Sequence, residues 1–324
     1  MTDTQKNERI GYIDIARGIA ILLVIIGHVL YKTTVGNFIF SFHMPLFLII
    51  SGMLFKYNSN TKDFIIKITN RFLFPYILGV TFVSISRNIL LDENIKIIPQ
   101  ILAGLSNRNS FFTEIETVGV LWFFPYLICI QSIYNWLNYL AEGNEYFLTY
   151  ECVIFMLCGF YFSISMVYLP WSIDIAMTTM IFYYLGNMLI KHNFLEKILS
   201  NIKIILLFLI IWLLGVRFLD LEFAHRQYSI FSFITSFCGS ILALKISTII
   251  DKHFKFIKNV LIWCGKNTIP ILIFHYFEYK IFEYNGSNIV VILQKIIFVV
   301  IMTLILNTFI SLAKKIKNKI KHHN

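Results

Sequence analysis

Three side chains that can handle charge or protons sit in a stretch otherwise made of aliphatic residues. From Arg9 to His28 the chain reads Arg-Ile-Gly-Tyr-Ile-Asp-Ile-Ala-Arg-Gly-Ile-Ala-Ile-Leu-Leu-Val-Ile-Ile-Gly-His. Read as a helix, the eleven-residue step from Arg17 to His28 is three full turns plus about 20°, so both project from one face. Their separation along the axis is about 16 Å. Asp14, three residues before Arg17, belongs to the same stripe. A central Arg costs roughly 2.5–3.5 kcal/mol to insert into a bilayer, so it needs a partner or a watered cavity. Two readings of Asp14 and Arg17 stand: an ion pair that fastens helices, or part of a working site. His28 has no carboxylate beside it on its own helix, and two readings stand for it as well: a satisfied core histidine, or a group that handles protons.

His43 opens the next apolar run after a connection of about six residues. An antiparallel hairpin brings it to the depth of His28. His275, in the outer half of a later run, falls at a similar depth. Three histidines in one layer of a lipid-embedded protein suggest proton handling. No cysteine or carboxylate stands at ligand spacing beside them, so no metal is expected.

The elements that must hold these groups are membrane helices. The chain has 324 residues, 57% of them hydrophobic and only 14% charged. A soluble domain carries about 25% charged residues. Apolar runs of about 20 residues recur along the whole length. The expected fold is all-α and polytopic, with ten spans near 10–31, 37–55, 72–90, 118–138, 147–168, 172–190, 202–219, 227–246, 260–283 and 288–313. Residues 1–324 are read as one unit with short tails, 1–9 and 314–324. The first run lacks a small-residue cleavage site and is read as a retained helix rather than a signal peptide. The connection 91–117 is expected to be a lid or a re-entrant segment.

The net charge of +10 does not point to nucleic acid, because the basic residues lie between the apolar runs. They fit a topology signal beside anionic lipid. With both termini in the cytoplasm, 18 Lys and Arg fall on the inner side and 7 on the outer side. That bias is the positive-inside pattern. The cluster Trp122, Phe123, Phe124, Tyr126, Trp136 and Tyr139 reads mostly as interfacial aromatic belt. The five cysteines, Cys129, Cys152, Cys158, Cys238 and Cys264, lie in apolar runs without a C-x-x-C pair and read as small core residues.

Several segments together carry a family resemblance. They are Asp14-x-x-Arg17-Gly18, Arg17-x10-His28, Phe42-His43-Met44-Pro45-Leu46-Phe47 and Ser51-Gly52-Met53-Leu54-Phe55. Further along come Arg71-Phe-Leu-Phe-Pro75-Tyr76, Leu121-Trp122-Phe123, and Gly265-Lys266-Asn267-Thr268 running on to His275. From about residue 9 to 313 the chain resembles the acyltransferase family 3 membrane proteins, and within them the branch of sugar O-acetylases such as fucose acetylases. Phe124 stands where the family usually has Leu after Trp-Phe.

The resemblance implies transfer of an acyl group, usually acetyl, from acyl-CoA in the cytoplasm to a sugar hydroxyl. The acceptor would be a cell-envelope carbohydrate or lipid-linked glycan, and the protein would lie in the cell membrane. His28 is then the first candidate for the base, or for a covalent acyl carrier. His43 would orient it or substitute for it. Glu114 and Glu116 either hold an imidazole in the useful tautomer or belong to a solvated loop. Arg71 and Lys67, before Pro75 and Tyr76, would take the phosphates of CoA, although Lys67 fits plain topology nearly as well. Arg17 would contact the donor or polarise its thioester carbonyl. A proton-coupled secondary transporter or flippase of an envelope precursor is the rival reading, since buried Asp, Arg and His mark such proteins too. It would predict inverted repeats, and the two halves show no match of polar positions.

Overall fold

A computed structural model describes residues 3–106, 117–218 and 228–323. Among these, every regular element is helical. In chain order they are α1 (Asp3–Val29), α2 (Thr34–Phe40), α3 (His43–Met53), α4 (Thr61–Ile68), α5 (Phe74–Leu90), α6 (Ile97–Ser106), α7 (Phe123–Ala141) and α8 (Glu145–Ile164). There follow α9 (Ile173–Lys191), α10 (Phe194–Ser200), α11 (Ile202–Phe218), α12 (Ile230–His253), α13 (Lys255–Lys266), α14 (Thr268–Ile281) and α15 (Asn288–His323). Among the described residues, eight helical stretches are long and apolar enough to cross a membrane, or ten with each of two bent pairs taken as one span. The protein is a multi-pass membrane protein of all-α class.

The expected spans correspond to these stretches, with two differences of shape. The run at 260–283 is two helices, α13 and α14, meeting at 78°. Pro270 explains the break. It has no N–H to give the Lys266 carbonyl one turn earlier, and its ring would press on that oxygen, so the helix restarts with Pro270 in its first turn. Asn267 pins the corner. Its side-chain amide donates to the Trp263 carbonyl at 2.8 Å, and its oxygen accepts from Asn307 of α15 at 2.9 Å. The run at 202–219 is likewise preceded by α10, set at 87° to α11. Within the described residues the short tails are helical. Helix α1 already begins at Asp3 and α15 continues to His323.

A third local feature comes from Pro75. It cannot donate to the Arg71 carbonyl, and just before it the backbone widens into a π-helical turn, Thr69–Leu73. The Phe74 N–H reaches back five residues to the Thr69 carbonyl. The wide turn joins α4 to α5 without a loop and carries Arg71.

Helix α1 is central and packs along α13. At that crossing Gly18 lies against the Leu261 carbonyl and Gly265 against the Asp14 carbonyl, so closely that a Cβ on either glycine would strike backbone. A second crossing of this kind joins α3 to α9, through Gly52 and Gly186. Lipid gives apolar helices little reason to prefer each other, so close backbone packing at small residues is a main source of cohesion. Outward faces stay apolar. On α15, Ile297, Ile301, Leu304 and Phe309 are all exposed, as lipid-facing residues are.

The aromatic cluster divides. Trp136 and Tyr139 are exposed, as belt residues would be. Trp122, Phe124 and Tyr126 are instead buried, and the Tyr126 hydroxyl hydrogen-bonds Thr179 at 2.6 Å. Gly119–Trp122 forms a tight turn ahead of α7 that aims these rings inward, which spacing alone does not reveal. Four of the five cysteines are buried, while Cys158 on α8 is exposed; none is in a disulfide.

Candidate active site

Arg17, Ile21, Val24 and His28 form one stripe of α1, at steps of four, three and four residues, and all four line one cavity of about 430 Å³. The helix therefore presents a guanidinium at one end of the chamber and an imidazole at the other, with aliphatic wall between. Asp14 is buried and sits 3.6 Å from Arg17 across one helical turn. It is the partner that a guanidinium at this depth needs.

The guanidinium end holds more positive charge. Arg71, from the π-helical turn, and Lys266, from the last turn of α13, line the same cavity, with Ser51 of α3 beside them. Arg71 rests on the Phe72 ring, 5.1 Å from its centroid. A smaller cavity shares Arg17, Ser51 and Arg71 and adds Lys56 and Lys67. The basic residues thus form a track from Lys56 and Lys67 to Arg17. Arg71 supplies a planar fork of donors, a geometry that suits phosphate oxygens.

The imidazole end is built from three elements. His43 begins α3 and is buried, and its Nδ1 donates to the Ile39 carbonyl at 2.9 Å. A carbonyl only accepts, so Nδ1 carries the proton and Nε2 is the accepting nitrogen of the neutral ring. Phe40 neighbours both rings, edge-on to His28 at 6.1 Å and to His43 at 5.2 Å. His28 meets His275 of α14 more closely, with ring centroids 5.3 Å apart. His275 in turn hydrogen-bonds Glu278 through Nδ1 at 2.8 Å, and Glu278 accepts from Lys295 of α15 at 2.6 Å.

Glu278 and Lys295 are the residues that the sequence reading passes over. Their signal was present. Glu278 follows His275 by three residues in an apolar run, which puts both on one face. Lys295 is a cation well inside the last run, where an ionisable residue needs a partner. Lys266 falls within the Gly265-Lys266-Asn267-Thr268 segment, but only the bend at Asn267 brings it to the chamber.

The remaining expected residues are distributed as follows. Trp122 lines the cavity, and its ring lies 5.4 Å from that of Tyr126. Lys67 lines the smaller cavity. Tyr76 lines neither; it is fully buried, and its hydroxyl donates to the Ile101 carbonyl at 2.7 Å, fastening α6 to α5. Its place is in packing, because the ring points across the helix pair toward Gly104. Glu114 and Glu116 lie outside the described residues. Of the 91–117 connection, the described part is mainly α6, held against α5 and the Pro170–Ser172 turn.

Comparison with curated proteins and with solved structures gives no match. One family model, described as an acyltransferase domain, matches residues 10–313 and so takes in every helix that lines the chamber. The chain belongs to the acyltransferase family 3.

Proposed function

We propose that this membrane acyltransferase moves an acyl group, expected to be acetyl, from acyl-CoA to a hydroxyl of a cell-envelope or exported polysaccharide sugar. The observation that carries the reading is that Arg17 and His28 open into one cavity, at its cationic and imidazole ends. Arg71 and Lys67 take the phosphates of the donor at the end reached from the cytoplasm. Arg17 lies further in, where its N–H groups hold the phosphate or pantetheine end of the donor while the thioester reaches on toward the imidazole end. The mostly apolar wall between the two ends keeps water from the thioester.

His28 serves as the base. It takes the proton of the acceptor hydroxyl while that oxygen attacks the acyl carbon. The carbon–sulfur bond breaks, and the imidazolium returns the proton to the departing thiolate. Transfer through an acyl-imidazole on His28 would use the same chamber in two steps. The charge bias of the connections supports cytoplasmic termini, and the family resemblance supports the cell membrane as the location.

The test uses purified protein, labelled acetyl-CoA and polysaccharide prepared from the cell envelope. Label should pass to the polysaccharide, and His28→Ala should reduce transfer by about 10²-fold or more while the fold is kept. Rapid quenching of wild-type protein before acceptor is added separates the two routes: label retained on the protein means the covalent one. Movement of glycan across a sealed membrane without labelling would favour a flippase, and full activity of His28→Ala would remove this histidine from the chemistry.

A further inference from the structure

The imidazole end does not stop at the cavity wall. His275 is only 2% exposed and Glu278 and Lys295 are 0% and 8% exposed. They form a chain: His275 Nδ1 to Glu278 at 2.8 Å, then Glu278 to Lys295 Nζ at 2.6 Å. The Lys295 ammonium also lies over the Tyr284 ring, 4.4 Å from its centroid. Burial, and after it the Glu278 carboxylate, holds the Tyr284 phenol well above its ordinary range. A carboxylate so far from water needs this much pairing to stay ionised. With His275 neutral, the carboxylate and the ammonium cancel, and the group carries no net charge.

Two consequences follow from this wiring. Glu278 can only accept in its ionised form, so Nδ1 of His275 keeps its proton and Nε2 is left as the accepting atom. Also, the His28 and His275 rings are in contact, with centroids 5.3 Å apart and planes tilted by 42°, so the imidazole that faces the chamber is the immediate neighbour of this group. Among the described residues, the groups with a charge or a titratable proton around His275 are His28 on α1 and Glu278 on its own helix, and beyond Glu278 come Lys295 on α15 and the Tyr279 and Tyr284 rings that its ammonium faces. His43, on α3, lines the same cavity as His28, and both rings meet Phe40 edge-on.

We infer that His275, Glu278 and Lys295 form a positioning and proton-holding unit behind His28, in which Glu278 fixes the His275 tautomer and Lys295 limits how tightly the pair holds a proton. The inference rests on the reading of His28 as the base. In the transfer step the proton leaves the acceptor hydroxyl for His28 and is shared with Nε2 of His275. It returns to the thiolate sulfur as the carbon–oxygen bond forms and the carbon–sulfur bond breaks, so none is gained or lost. Without Lys295, the bare carboxylate would hold the proton too firmly for the return. Without Glu278, the imidazolium would lose its counter-charge.

The test measures kcat and KM for acetyl-CoA across pH, with the same polysaccharide acceptor. The rate climbs with pH as the base loses its proton. In Glu278→Gln the climb should move to lower pH by about one unit or more, since an adjacent opposite charge favours the protonated ring by that much. Lys295→Met should move it to higher pH. In both, kcat should fall by at least about tenfold with KM for acetyl-CoA within about twofold of wild type. Glu278→Gln leaves a buried ammonium unpaired, so Glu278→Gln/Lys295→Met, which buries no charge, gives the reading if the single variant does not fold. Its climb should also lie at lower pH. Displacement in the same direction for the two single variants, or profiles that all coincide with wild type, overturns the inference. Those results with an inactive His28→Ala would leave the base in place and remove only the relay; an active His28→Ala would remove both.

Discussion

Arg71 owes its position to a proline four residues later. Pro75 withholds the hydrogen bond that would have closed a regular turn, and the widened backbone carries the guanidinium to the cavity wall. Both cavities share this residue with Arg17. Arg71→Ala should weaken binding of CoA, followed by calorimetry on purified protein, by about ten- to a hundredfold, the worth of one or two charge-assisted hydrogen bonds. Arg71→Lys should recover only part, because an ammonium is a point charge and cannot grip two oxygens at once. Unchanged affinity in both would remove Arg71 from the donor site. At this scale the sequence was legible wherever spacing along a single helix was enough. Arg17 and His28 share a face by arithmetic, and they share a cavity. His275 and Glu278 also share a face, yet the pairing of Glu278 with Lys295 joins residues 17 apart in sequence on two different helices. No periodicity within one helix contains that contact.

Among the elements, the crossing of α1 with α13 sets the shape of the chamber. Gly18 and Gly265 let the two backbones touch, and Arg17 and Lys266 are their immediate neighbours in sequence. A Cβ at Gly265 would strike the Asp14 carbonyl, which cannot move without shifting α1. Gly265→Ala should therefore lower stability by about 1–3 kcal/mol, read from thermal unfolding in detergent. It should also lower transfer activity in the protein that remains folded. An unaltered melting temperature would mean that the crossing is looser than described. Hydropathy reads the number of spans well because length and apolarity decide it. It reads the bends poorly. The run at 260–283 has the length of a straight helix, and the 78° corner depends on Pro270 and on two asparagines that meet from different helices. The inward turn of Trp122 and Tyr126 was hidden for a similar reason: a belt and a cavity wall have the same composition.

For the whole molecule, the distribution of Lys and Arg makes a prediction about sidedness. Both termini should face the cytoplasm. In a chain whose five native cysteines are replaced, a cysteine added at either end should resist a membrane-impermeant maleimide on intact cells and react once the cells are opened. Labelling on intact cells would reverse the topology and put the cationic end of the chamber on the wrong side for a cytoplasmic donor. That the chain is a bundle of apolar helices was plain from composition, and membership of its family rests on a family model matched over residues 10–313.

The first helix has a consequence of its own. From Asp3 to Val29 it contains no hinge, and its glycines lock it to a neighbour instead of loosening it. The two reactive ends are therefore marks on a stiff ruler, and their spacing cannot be shortened by flexing the protein. Whatever distance the acyl group covers inside the lipid layer must be covered by the reach of the donor's own flexible arm.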